Sequence, residues 1–335
     1  VRGKARFAGM ALAAFAVLMA AQSRAQDDTT FFRIGTGPAA DTEYALGSSI
    51  AAGITNPPGS RPCHQGGSCG VPGLIAVAQT KSGSSENLQA IGTGQLESAL
   101  VHSDMAYWAY SGLGPFEGGA LENLRAIANL IPVSLHVVVL ADSGIDSMRD
   151  LRGKRVSLGP RGSGGATNAS YVLGVHGIKL ADIGRYYLKP GPATDALTLG
   201  RIDAMFVVGG SPIQAIADLA EKREIRLLPF GEIELRQIAS LYPFFRGTTI
   251  PAGTYRGVNG DTPTVGVGVL WVVAAQVDDL LVQDATRALW TENTAKFLRG
   301  SHPEGSLVSI GRALENLPIP LHPGAEAYYR KRGLM

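Results

Sequence analysis

Short runs of consecutive apolar residues, each followed by a Gly-, Ser- or Thr-rich turn and then by a helix-prone stretch, recur along the chain. Residues 31–37 (Phe-Phe-Arg-Ile-Gly-Thr-Gly) read as a strand entering a polar loop, with Asp41 or Thr42 as cap of a helix over 44–54. Residues 74–79 read as a further strand, and in the turn after it Ser84 or Ser85 would cap a helix beginning near Glu86. The run 124–130 closes the first half, and 131–140 crosses into a second, with a polar connection over 142–154. There a strand over 155–158 breaks into a glycine-rich loop, and Thr167 opens an Ala-rich helix. Helices follow over 194–200 and 213–223, with strands over 202–208 and 225–229. Residues 243–260, rich in Pro, Gly and Thr, read as the return crossing. Residues 265–274 read as a central strand whose glycines mark close backbone approach. An amphipathic helix is expected over 280–298, and a short helix within 320–330 docked on the first half.

One pattern occurs twice. Gly94-Gln-Leu-Glu-Ser-Ala-Leu-Val101 and Gly200-Arg-Ile-Asp-Ala-Met-Phe-Val207 both read Gly, polar, aliphatic, acid, small, then a buried strand. Each half is thus expected to carry its own α/β sheet, with the polar turns at strand carboxyl ends, where open α/β sheets take ligands. The loop after 155–158 holds Arg161, Ser163, Gly164, Gly165 and Thr167. Its glycines let amides turn inward, a helix N-terminus adds partial positive charge, and Arg161 could fork onto a carboxylate. It lacks the Gly-Lys-Ser/Thr end of a P-loop and the G-x-G-x-x-G spacing, so nucleotide binding loses both usual markers. Arg161 also stands where a G-x-S-x-G elbow around Ser163 would need glycine.

Composition narrows the class. The chain of 335 residues is 45% hydrophobic and 17% charged, enough for about two folded domains. Arg2, Lys4 and Arg6 precede an apolar run over 7–21, and Ser23-Arg24-Ala25 offers small residues for cleavage, so 1–25 reads as a secretory signal peptide. Retention as an anchor is the alternative. Without that segment 26 cations face 28 anions, a net charge of −2, and no basic tract argues for nucleic acid. The two cysteines, Cys63 and Cys69, flank a Gly-rich turn; in an exported chain a local disulfide is the simplest reading, with zinc on Cys63, His64 and Cys69 the alternative, short of a fourth ligand.

Five segments in order resemble the TAXI family of extracytoplasmic solute receptors of TRAP-type transporters. They are the Ile34-Gly-Thr-Gly37 loop, Ser82 to Asn87 with Val101-His-Ser-Asp104, Ser143 through Gly164, Gly200 through Pro212, and Leu321-His-Pro-Gly-Ala325. The resemblance spans 31–332 and implies an α/β, type II periplasmic binding protein fold with two lobes, two crossovers and an interlobe ligand cleft. Lobe one would comprise 26–133 and 244–335, lobe two 134–243. It implies a periplasmic monomer that takes up a small carboxylate such as glutamate or 2-oxoglutarate and hands it to TRAP permease subunits, with no cofactor. Ligand contacts are expected from Thr36, Gly37, Tyr44, Ser84, Ser85, Asn87, Ser103, His136, Arg161, Ser163, Gly164, Gly165, Thr167 and Gly210. The sequence departs from the family at Gly165, where a Thr is usual, and at Arg161, where a small residue or Pro is common.

The six histidines show no metal-binding spacing, and no carboxylate pair stands out for acid–base work. An exported enzyme using the same cleft, or a co-receptor for a membrane sensor, remain as other classes. Asp104 reads as a loop-bonding residue rather than a ligand contact.

Overall fold

The computed structural model describes residues 29–39, 41–161 and 163–335. The signal-peptide reading therefore falls outside the described residues. The first half contains β1 (Thr30–Gly35), α1 (Thr42–Ile54), β2 (Thr55–Asn56), β3 (Val71–Pro72), β4 (Leu74–Gln79), α2 (Ser84–Gly92), β5 (Ser98–His102) and α3 (Ser103–Ser111). Then β6 (Leu124–Leu140) leads to β7 (Arg155–Ser157), α4 (Gly164–Val175), β8 (Gly184–Tyr186), α5 (Pro190–Thr198), β9 (Ala204–Gly209), α6 (Gln214–Lys222), β10 (Ile225–Leu227) and α7 (Glu232–Leu241). The chain returns through β11 (Arg246–Ile250) and β12 (Thr262–Ala274) to α8 (Asp279–Leu289), α9 (Glu292–Ser301) and α10 (Pro323–Lys331).

All the strands form one sheet, ordered β3-β2-β4-β1-β5-β12-β6-β9-β7-β8, with β10 on β6 and β11 on β12. Parallel β4, β1 and β5 lie on one side, and parallel β9, β7 and β8 on the other. Long β6 and β12 run antiparallel between them: β6 pairs with β12 over Leu124 to Ser134 and with β9 over Ser134 to Val138. Their close approach needs glycine. A Cβ at Gly266 would lie 2.6 Å from the Val133 carbonyl oxygen, and one at Gly268 2.6 Å from the Asn129 side chain. A seam of aromatic rings also joins the halves, with Trp108 of α3 at 5.1 Å from Phe244 and 5.7 Å from Tyr171 between centroids.

The repeated Gly-x-x-acid pattern has a structural cause. Glu97 accepts from the Arg33 amide at 2.7 Å and from its guanidinium, which locks the start of β5 against the second half of β1. Asp203 does the same to Arg155, amide at 2.7 Å and Nη2 at 2.6 Å, at the β9–β7 junction. One device thus sets the parallel register in each half.

Several expectations differ from the structure. The separate sheets expected for the two halves are one sheet, continuous through β6 and β12, and α2 starts at Ser84 itself after Gly83 instead of being capped by Ser84 or Ser85. The helix after β7 begins at Gly164, not Thr167, because Ser163 caps it by accepting from the Ala166 amide. The run 280–298 is two helices, since Thr291 accepts from the Thr294 amide and caps a new start inside it. Residues 243–260 hold the hairpin strand β11; β12 itself makes the return. The sequence reading also missed α7, of which only Ile238 is buried. Cys63 and Cys69 are joined as a disulfide. No helix among the described residues is long and apolar enough to cross a membrane.

Because each clamp combines a backbone and a side-chain hydrogen bond, Glu97→Ala and Asp203→Ala should each lower stability by about 1–2 kcal/mol. Urea unfolding measures this; losses under about 0.3 kcal/mol for both would reduce the clamps to solvated surface pairs.

Candidate functional site

The carboxyl ends of β1 and β5 face those of β7 and β9, and the polar turns at these ends carry most of the expected site residues. Several of those residues spend their polar groups on the scaffold. The Thr36 hydroxyl donates to the Gln79 carbonyl at 2.9 Å, and Asn87 Nδ2 donates to the carbonyls of Thr36 and Leu100 at 3.1 Å, tying β1 to β5. Ser84 Oγ accepts from the His102 amide at 3.1 Å, and Ser103 Oγ accepts from the Gly268 amide at 3.0 Å. Ser163 Oγ caps α4 and donates to the Pro160 carbonyl at 2.7 Å, while Thr167 Oγ1 turns back to the Ser163 carbonyl at 3.4 Å. Arg161 is exposed with its guanidinium 4.1 Å from the centre of the Tyr187 ring. Tyr44, Ser85 and Gly165 are partly exposed, and Gly37 is buried against Asp41.

Besides the aromatic seam and the shared sheet, two carboxylates bridge the halves. Asp104, at the start of α3, is fully buried, and its Oδ2 accepts from Asn168 Nδ2 of α4 at 2.8 Å. It rests on Gly164, where a Cβ would come within 2.7 Å of that oxygen. Asp104 Oδ1 is buried without a partner. Burial pushes its carboxyl above the usual range, against the opposing pull of His102. Glu304, just beyond α9, is 7% exposed. Its Oε1 accepts from the Ser211 amide at 3.0 Å, at the turn after β9, and its Oε2 is buried and unpaired. A Cβ on Gly210 would overlap this carboxylate. Burial raises the Glu304 carboxyl too, partly offset by Thr42 and His302.

Between these two lies the pair Glu43–His102, Oε1 to Nε2 at 3.0 Å. For Glu43 burial pushes upward, but the hydrogen bond and charge of His102 outweigh it and its carboxyl lies below the usual range. For His102 burial pushes downward, and Glu43 outweighs it, so the imidazole is raised and carries a proton more readily. Asp41 is raised by burial and by Glu43. Among the described residues, no group of three or more His, Cys, Asp or Glu is arranged to hold a metal ion.

His136 is fully buried and braces the Ser211 turn from behind. Its Nδ1 donates to the Ser134 carbonyl at 3.1 Å, which leaves Nε2 to accept from the Tyr255 hydroxyl at 3.0 Å. Tyr255 in turn accepts from the Ile213 amide at 2.8 Å. Ser211 Oγ lies 3.3 Å from the same Nε2, a spacing that suggests a nucleophile and its base. The nitrogen's one lone pair is already taken by Tyr255, and Nδ1 faces a carbonyl instead of a carboxylate, so the geometry is that of a support. Sequence reasoning missed Glu43, Asn168, Ser211, Tyr255 and Glu304; for Glu304 the only local signal was a polar turn after a helix.

Residues 34–333 match the NMT1-like family. Among solved structures, the chain is similar to a putative sulfonate ABC transporter's periplasmic sulfonate-binding protein SsuA from Methylobacillus flagellatus KT, at 14% identity, covering 92% of this chain and 88% of that one, with a TM-score of 0.50. It is also similar to the alkanesulfonate-binding protein SsuA from Xanthomonas axonopodis pv. citri bound to MOPS, at 17% identity, 91% of each chain and a TM-score of 0.46. The first likeness shows the fold, that of the periplasmic binding proteins, and agrees with the α/β type II architecture expected from the sequence.

Burial pushes the His136 imidazole down to about 4. Between that value and about 6.5 the unfolded chain binds a proton that the folded protein refuses, so His136 stabilises fully above pH 6.5 and loses this contribution as pH falls toward 4. The span corresponds to roughly 3 kcal/mol. Asp104 and Glu304, with raised carboxyls, act in the opposite sense, so the difference between proteins isolates His136. His136→Gln should lose less stability than the wild type between pH 7 and about pH 4.5 in urea titrations. Parallel profiles would show that the imidazole already titrates normally.

Proposed function

The chain belongs to the NMT1-like family, and on that premise we propose that it is an extracytoplasmic receptor that closes two lobes on a small solute and delivers it to a membrane permease. The proposed lobes are 26–133 with the returning C-terminal part, and 134 onward; β6 makes the first crossing and β12 the second, so the return lies in β12 and not at 244, with Ile250, Tyr255 and Val258 packed beside Val138 and Val207 of the second lobe. The observation that carries this reading is the polar contact between halves: Asp104 with Asn168 and Glu304 with Ser211 join the strand ends of one half to those of the other. A solute able to make such contacts to both halves stabilises the shut form through bonds that an open form cannot make.

The proposed solute is a small organic anion, a carboxylate such as glutamate or 2-oxoglutarate. Supporting it, the backbone amide of Ser211 and the side-chain amide of Asn168, beside the start of α4, already each receive a carboxylate from this chain. Micromolar binding needs only about 8 kcal/mol net, within reach of a few charge-assisted hydrogen bonds. The TRAP-type permease rests on the five ordered motifs; the SsuA protein from Methylobacillus flagellatus KT, of the same fold, supplies an ABC-type importer as the competing partner. The periplasmic location rests on the export signal read in 1–25. Binding without turnover fits the way His102 and His136 are each engaged by neighbouring side chains.

A thermal-shift screen of the mature protein against small carboxylates, amino acids and sulfonates tests the reading. A saturating carboxylate should raise the melting temperature by roughly 3–8 °C. A rise with sulfonates, sugars or cations alone would exclude the carboxylate class.

A further inference from the structure

The turn after β9 is a prepared seat for an acid group. Residue 210 must be glycine for a carboxylate to lie where Glu304 lies, and the Ser211 amide points at it. The turn is held from behind by Tyr255, which accepts from the Ile213 amide, and by His136, which accepts from Tyr255 and packs beside Ser211 Oγ at 3.3 Å.

The occupant, by contrast, is poorly held. Glu304 has one amide donor on Oε1, with the Thr42 side chain also drawing its carboxyl down, and its Oε2 is buried without a partner. Among the described residues the nearest basic nitrogen is His302 Nδ1 at 4.0 Å, which accepts from the Glu304 amide and donates nothing to the carboxylate. A desolvated carboxylate with half its hydrogen-bonding capacity unmet is readily replaced by one that brings more contacts. Glu304 also arrives from the far side of the cleft, on the segment following α9 that packs against α1.

We propose that the Gly209-Gly210-Ser211 turn is a carboxylate subsite that the unliganded protein fills with its own Glu304, so that Glu304 sets solute selectivity by competing with the solute's acid group for that seat. The inference rests on the receptor reading above and adds what a solute must do to enter: carry an acid group slender enough to reach a residue without a side chain, and displace the resident one.

Two variants separate this from a purely structural role. Glu304→Ala empties the seat and leaves it open, whereas Gly210→Ala also expels Glu304 but fills the seat with a methyl group. Isothermal titration with glutarate and 2-oxoglutarate should show Glu304→Ala binding at least one of them about 10-fold or more tighter than the wild type, and Gly210→Ala binding neither. Glu304→Gln, which keeps size and acceptor, should fall between the wild type and Glu304→Ala and serves if the alanine variant does not fold. Equal or weaker binding by Glu304→Ala and Glu304→Gln overturns this inference alone, provided the wild type binds. If no acid binds to any of the proteins, the receptor reading for carboxylates falls and this inference with it.

Discussion

The contact on which the structure turns is a buried carboxylate from one half resting on a hydrogen-bond donor of the other. It occurs at Asp104 on Asn168 and at Glu304 on Ser211. Both acids are nearly or wholly removed from water, and each keeps one oxygen without a donor. Such an arrangement costs desolvation that a single hydrogen bond only partly offsets, which makes it weak as a permanent fastening and suitable as a reversible one. An apolar core that runs through both halves, the aromatic seam around Trp108 and the continuous sheet through β6 and β12 carry the stability; the polar bridge adds contacts between the halves beside the strand ends.

The rest of the molecule keeps that bridge exact. The Glu97–Arg33 and Asp203–Arg155 clamps fix the parallel strands whose ends bear the polar turns. Asn87 and Ser103 then fasten those turns to neighbouring strands, and His136 with Tyr255 braces the Ser211 turn. Glu43 and His102 form an ion pair close to Asp104, Asp41 and Glu304, so the acids gathered there are not left without a basic group.

Much of this was legible in the sequence because strand-to-turn transitions are local. Val156 and the glycines after it announce a strand end followed by a helix start, and Gly200-Arg-Ile-Asp203 repeats Gly94-Gln-Leu-Glu97, so the places where the halves present polar groups could be found. The use of each side chain there was less legible. Ser163 and Thr167 look like free hydroxyls in sequence, yet helix capping and back-bonding consume them. Arg161, suited to a carboxylate by its chemistry, stacks on Tyr187. Partners far apart in the chain leave no local pattern at all: Asp104 and Asn168 are 64 positions apart, and Ser211 and Glu304 are 93. The break at Thr291 was hidden because a cap inside an amphipathic run preserves the apolar periodicity on both sides.

The most direct measurement is small-angle X-ray scattering of the unliganded wild type and of the doubly substituted Asp104→Ala, Glu304→Ala protein. If buried carboxylates hold the halves together, the wild type scatters as the compact form and the double variant has a larger radius of gyration and a broader distance distribution, with unchanged circular dichroism. Superimposable scattering curves would mean that the carboxylates do not govern the separation of the halves.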